Sequence, residues 1–178
     1  ASDVERALSS KHEITATGIK ELRARGPEAL DELVTMRDRV RSRTLLSERP
    51  SIPLKSDDKE QLEQLERVID LVAGQRYASV SRLFWYTNFE RAQEIARQTE
   101  KPILSLRLLG KLTDEFSCAN SRFFRTTLYA NQEVAKYLRE HFVLHWKSVR
   151  PVPVVTIDFG DGRKLKRTLT GNSIHYVL

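Results

Sequence analysis

The chain reads as an α/β protein carrying an all-helical N-terminal extension, and three features of its pattern predict this. Apolar residues recur at helical spacing up to about residue 80. Beyond that point short β-branched and aromatic runs alternate with amphipathic stretches, the order that gives an α/β sheet with helices on its faces. Near the C-terminal end, 153–159 and 163–170 alternate on either side of Gly160-Asp161-Gly162, a tight-turn sequence that predicts a β-hairpin. The division expected is a helical region over 1–80 and an α/β domain over 81–178.

In the first region, Val4 and Leu8, then Ile14, Ile19 and Leu22, form short apolar stripes. Gly26 stops a helix and Pro27 opens the next, in which Leu30, Leu33, Val34 and Val40 predict a span of 27–42. Pro50 and Pro53 mark 43–56 as a connector. Ser56 is placed to cap a helix whose first turn holds Asp57, Asp58 and Glu60, followed by the stripe Leu62, Leu65, Ile69 and Val72. In the second region, Val80–Tyr86 predicts a strand, Asn88 a cap for a helix with Ala92, Ile95 and Ala96, and 101–106 a strand entered through Pro102. Asn131 predicts a cap for Gln132–Glu140, Phe142–Trp146 a strand, and Ser173–Leu178 a last strand.

Composition excludes several classes. With 178 residues and 40% hydrophobic content the chain can bury a core. No apolar run approaches the ~20 residues of a membrane helix, and mean hydropathy is −0.46, so no transmembrane segment is expected. Cys118 is the single cysteine, which removes an internal disulfide, a multi-cysteine zinc site and a self-contained dithiol cycle from this chain. His12, His141, His145 and His175 lack metal-ligand spacing, and no metal or other cofactor is expected. The net charge of +6 lies wholly in 119–178, where ten basic residues meet four acidic ones. Its densest run, Arg163-Lys164-Leu165-Lys166-Arg167, would divide its cations between two strand faces, which makes a weak anion site and no specific nucleic-acid interface.

Cys118 lies between a strand ending near Leu109 and a segment that reads as helical, so it stands at a helix start. Unpaired amides there stabilise a thiolate, Arg122 and Arg125 add positive charge, and Asp114 and Glu115 oppose them. A buried inert cysteine fits the same residues equally well. Lys101-Pro102-Ile103, Cys118-Ala119-Asn120-Ser121 and the run from Glu133 through Val134, Ala135, Leu138, Phe142 and Val143 occur in an order that resembles a divergent thioredoxin-like domain, over residues about 85–178.

That resemblance implies a thioredoxin-like mixed sheet. It makes Cys118 the counterpart of the nucleophilic cysteine and Ser121 that of the lost resolving one, so a mixed disulfide on Cys118 would need an external thiol to resolve it. Two positions compete for the family's proline opposite the cysteine. Pro153 is one; the other is Ser173, through Gly171-Asn172-Ser173-Ile174-His175-Tyr176-Val177-Leu178, and this register is preferred. It makes 153–170 an insertion and implies that the domain's last strand and closing helix lie beyond Leu178. Two functions follow from the resemblance: a module engaging protein thiols or disulfides through a single cysteine, or a non-catalytic interaction or structural domain. In both, the expected partner is a protein. Labelled DNA and RNA titrated at physiological salt are expected to bind weakly and without sequence preference, affinity falling by roughly 0.9 log units per phosphate contact for each log unit of salt; sub-micromolar selective binding would contradict this reading.

Overall fold

Residues 2–9, 12–47 and 56–178 are described by the computed structural model. Their contacts divide the chain into Ala1–Ala73 with Tyr77–Phe84, and Gly74–Arg76 with Trp85–Leu178.

The first unit holds α1 (Asp3–Ala7), α2 (His12–Arg25), α3 (Pro27–Ser47), α4 (Ser56–Ala73) and α5 (Ala78–Ser81). Ser2 and Glu5 make a reciprocal cap at the start of α1, each side chain accepting from the other's amide. Gly26, at φ 79°, ends α2 in the left-handed conformation that glycine adopts without strain, and Pro27 opens α3 as expected. Leu22, Leu30, Leu33, Val34, Leu65, Ile69 and Val72 are fully buried, so the stripes read from periodicity are the core. Gly18 lets α1 lie directly on α2, since a Cβ there would stand 2.3 Å from the Ala7 amide nitrogen. Arg23 donates to the carbonyls of Leu71 and Val72, satisfying the C-terminal end of α4.

Two boundaries differ from expectation. The helix begun at Pro27 continues to Ser47 instead of ending at 42, because neither glycine nor proline interrupts 43–47. Pro50 and Pro53 lie outside the described residues. The strand expected over Val80–Tyr86 shrinks to Trp85–Tyr86. Tyr77 and Arg82 take positive φ (61° and 54°) on either side of α5, whose first amide donates to Asp70 at 2.9 Å, so an extended run cannot form there.

The second unit contains β1 (Trp85–Tyr86), α6 (Phe89–Thr99), β2 (Ile103–Leu109), α7 (Ala119–Phe123), a π-helical turn (Phe124–Leu128), α8 (Gln132–His141), β3 (Val143–Arg150), β4 (Val154–Asp158), β5 (Lys164–Thr168) and β6 (Ser173–Val177). Asn88 and Asn131 cap α6 and α8 through their side-chain oxygens. The main sheet has the order β1-β3-β2-β6, with β1, β3 and β2 parallel and β6 antiparallel to β2. It is a mixed sheet flanked by helices. One face, with Ile103, Ser105 and Val143, packs under Ala92 and Phe89 of α6. The other presents Leu106, Leu108 and Trp146. Both indoles hold the short segment Gly74–Arg76: Trp146 Nε1 donates to the Gly74 carbonyl at 2.7 Å and Trp85 Nε1 to Gln75 Oε1 at 2.8 Å.

β4 and β5 pair only with each other, joined through Gly160 and Gly162 at φ 78° and 88°. In this register Lys164 and Lys166 share one face and Arg167 lies on the other, which disperses the basic run.

Ser105 and His145 face each other across β2 and β3 and share a 2.8 Å hydrogen bond, with His145 buried. Burial, followed by Arg107 and Lys147, pushes the imidazole down to about 4, while Glu90 opposes. An unfolded histidine titrates near 6.5, so the stability it contributes is complete above that value and is lost as pH falls toward 4, by about 3 kcal/mol in all. Urea denaturation at pH 7.5 and 4.5 is expected to show a smaller acid loss in His145→Gln than in the parent; equal losses would assign the sensitivity elsewhere.

Candidate functional site

The candidate site begins where β2 ends. Gly110, at φ 75°, turns the chain out of the sheet and donates its amide to Arg150, and the Cys118 amide returns to Leu109 at 3.3 Å, closing a loop over 110–118. Arg125 holds this loop together. Its Nη1 donates to the carbonyls of Leu112 (3.1 Å) and Asp114 (2.6 Å) and to Ser117 Oγ (3.0 Å), and its Nη2 donates to Glu115 O (3.0 Å). The side chain is buried, and only a fork with several fixed N–H groups can serve four acceptors at once.

Cys118 is the N-cap of α7, as its expected position at a helix start requires. Its sulfur accepts from the Ser121 amide at 3.4 Å and donates to the Asn172 carbonyl at 3.7 Å. Ser121 is buried and spends its hydroxyl proton on the Cys118 carbonyl at 2.9 Å. Burial, the largest influence, pushes the Cys118 thiol up. Hydrogen bonding, chiefly from Ser121, whose amide donates to the sulfur, outweighs it and leaves the thiol below its ordinary value.

The arginines do not have the role read for them from sequence. Arg125 is committed to the loop and Arg122 reaches Thr168 Oγ1 at 3.0 Å, so the downward pull on the thiol comes from hydrogen bonds. Phe116 and Phe123 nearby are exposed. Cys118 has no accessible surface.

Opposite α7 stands the turn into β6. Asn120 Nδ2 donates to Ser173 Oγ at 3.2 Å, and Gly171 comes so close that a Cβ there would meet Asn120 Oδ1 at 2.6 Å and Ala119 Cβ at 3.3 Å. Cys118, Ser121 and Ser173 are therefore gathered at one place. Pro153 sits at the neck of the hairpin, where its carbonyl accepts from the Leu169 amide at 3.2 Å. No cis peptide bond occurs among the described residues.

Beside this cluster the buried Tyr129 phenol and His175 Nε2 lie 2.7 Å apart, with Phe124 packed against the imidazole. Burial raises the phenol and lowers the imidazole, so the two share this bond as a neutral pair near pH 7. Nothing in the local sequence around Tyr129 points to its partner 46 positions away. Sequence reasoning also missed Asn120, Gly171 and the carbonyl of Asn172. Nothing local to these residues shows what the segment before β6 touches.

Among the described residues no three histidine, cysteine, aspartate or glutamate side chains are grouped to hold a metal ion, and no helix is long and apolar enough to cross a membrane. No protein-family model, curated protein or solved structure matches the chain.

Arg125→Met removes four hydrogen bonds from buried or half-buried acceptors and is expected to cost roughly 3–5 kcal/mol, as when one side of a buried charged network is deleted. Arg122→Ala, which loses a single contact with Thr168, should cost less than about 1 kcal/mol. Chemical denaturation measures both, and hydrogen exchange should rise across 112–117 in the first variant alone; unchanged exchange there would remove Arg125 from its organising role.

Proposed function

We propose that residues 85–178 form a thioredoxin-like domain that works as a non-catalytic protein-interaction module, with Cys118 a structural residue of its helix start. The observation that carries this is the complete burial of Cys118, whose sulfur is engaged on one side by the Ser121 amide and on the other by the Asn172 carbonyl. A nucleophile must approach its target within bonding distance, and exchange at sulfur needs room for an in-line disulfide, which this cover denies. Support for the thioredoxin-like part comes from the parallel β1, β3 and β2 with antiparallel β6, from Cys-x-x-Ser at the helix start after β2, and from Ser173 standing opposite it.

A specific observation favours a second reading, thiol exchange through a single cysteine resolved by an external thiol. The Cys118 thiol sits below its ordinary value, the direction a nucleophile requires. For that chemistry the Gly171–Ser173 turn would have to swing away from α7.

Alkylation of the single cysteine separates the two. In the interaction reading, native Cys118 reacts at least about a hundredfold more slowly than in urea, because a buried thiol is reached only through opening. A native rate close to that of the unfolded chain, with an inflection below the free-thiol value of ~8.5, would establish the exchange reading instead.

A further inference from the structure

One face of the main sheet is only partly covered. Side chains of paired strand residues share a face, and the register sets Arg107 beside Ile174 and Ser105 beside Tyr176, with Ile103 and Leu178 exchanging both backbone hydrogen bonds at 2.8 and 2.9 Å. Ile174, Tyr176 and Leu178 therefore stand on the side of the sheet that α6 occupies over β1, β2 and β3. They are 50%, 45% and 59% exposed. Lys147 pairs with Arg107 one strand further in, and neither cation has an ion-pair partner among the described residues. A groove of about 180 Å³ opens at this end of the sheet, lined among others by Arg107, Val149 and Ile174.

We infer that this face is the docking surface for an amphipathic helix of a partner protein, its apolar stripe on Ile174, Tyr176 and Leu178 and its flanking carboxylates on Arg107 and Lys147. This deepens the interaction reading above and rests on it. Dimensions select a helix. From Ile174 to Leu178 is about 14 Å along the strand, which some nine helical residues cover at 1.5 Å each. The two cations lie about 5 and 10 Å inward from β6, within the ~10 Å width of a helix laid across β6 and β2. A strand added at the edge of β6 would lie about 5 Å further out, away from both cations. Charge selects an acidic occupant and disfavours a second copy, since an isologous contact through this face would bring two like cationic patches together.

The probe is a synthetic 16-residue helical peptide with leucine along one face and glutamate beside it, compared with a twin carrying lysine in place of glutamate. Binding to the full chain is followed by fluorescence anisotropy and by amide chemical shifts. The acidic peptide is expected to bind at least tenfold more tightly than its twin at low salt, the preference shrinking at 0.5 M salt. Ile174→Asp and, separately, the pair Arg107→Glu with Lys147→Glu should each weaken it at least tenfold, while Ile157→Asp in the hairpin leaves it unchanged. Circular dichroism confirms that each variant folds. Equal affinity for both peptides, shifts confined to other surfaces, indifference to Ile174→Asp, or a concentration-dependent dimer without peptide would each overturn the inference. Alkylation of Cys118 runs separately: a reactive thiol defeats the interaction reading, whereas an inert thiol with no peptide preference defeats the choice of this face alone.

Discussion

The buried guanidinium of Arg125 governs how the chain leaves its central strand. Three backbone carbonyls and one hydroxyl of 112–117 point inward, and a loop with inward-facing carbonyls is tolerated only where a donor waits for each. Arg125 supplies them from the π-helical turn that follows α7, so loop and helix fix one another. Cys118 lies between the two. Its placement at the N-cap, the Ser121 amide on its sulfur and the contact with Asn172 all presuppose that the loop ends where it does. The distortion of the helix into a wider turn beginning at Phe124 coincides with the point where Arg125 turns back toward the loop.

The same economy of donors accounts for the chemistry of the sulfur. A thiolate at a helix start is stabilised by amides, and here one amide is in place while the covering turn excludes solvent. Burial and hydrogen bonding act in opposite directions on the same atom, and reactivity depends on access as well as on ionisation. A lowered thiol and a covered sulfur therefore coexist in one residue. Ser121, fully buried, reinforces the cap through its hydroxyl on the Cys118 carbonyl.

What the sequence made legible was the part of the fold written in short-range signals. Asn88 and Asn131 were recognisable as caps, Gly26-Pro27 as a break, Gly160-Asp161-Gly162 as a turn, and the stripe through Leu65, Ile69 and Val72 as a core, because each is decided within a few residues. Two errors of extent arose from the same locality. Helix α3 ran past its apolar stripe because nothing in 43–47 stops a helix, and Val80–Tyr86 lost most of its strand to left-handed turns at Tyr77 and Arg82 that β-propensity does not register. At the candidate site, Cys118 and Ser173 were singled out through the resemblance, and the structure brings their segments together. The roles of Arg125, Asn120 and Gly171 depend on contacts between residues up to about fifty positions apart, which pattern does not encode.

The hairpin is closed at its own neck, where the Leu169 amide meets the Pro153 carbonyl, and its strands pair with nothing else. β3 and β6, the elements on either side of it in the chain, are each held by β2 rather than by the hairpin. Adding or removing cross-strand pairs beyond the neck would thus leave every pairing of the main sheet in place. The reach of the hairpin is a dimension of the molecule decoupled from the registration of its central strands, and a longer or shorter hairpin leaves that registration as it is.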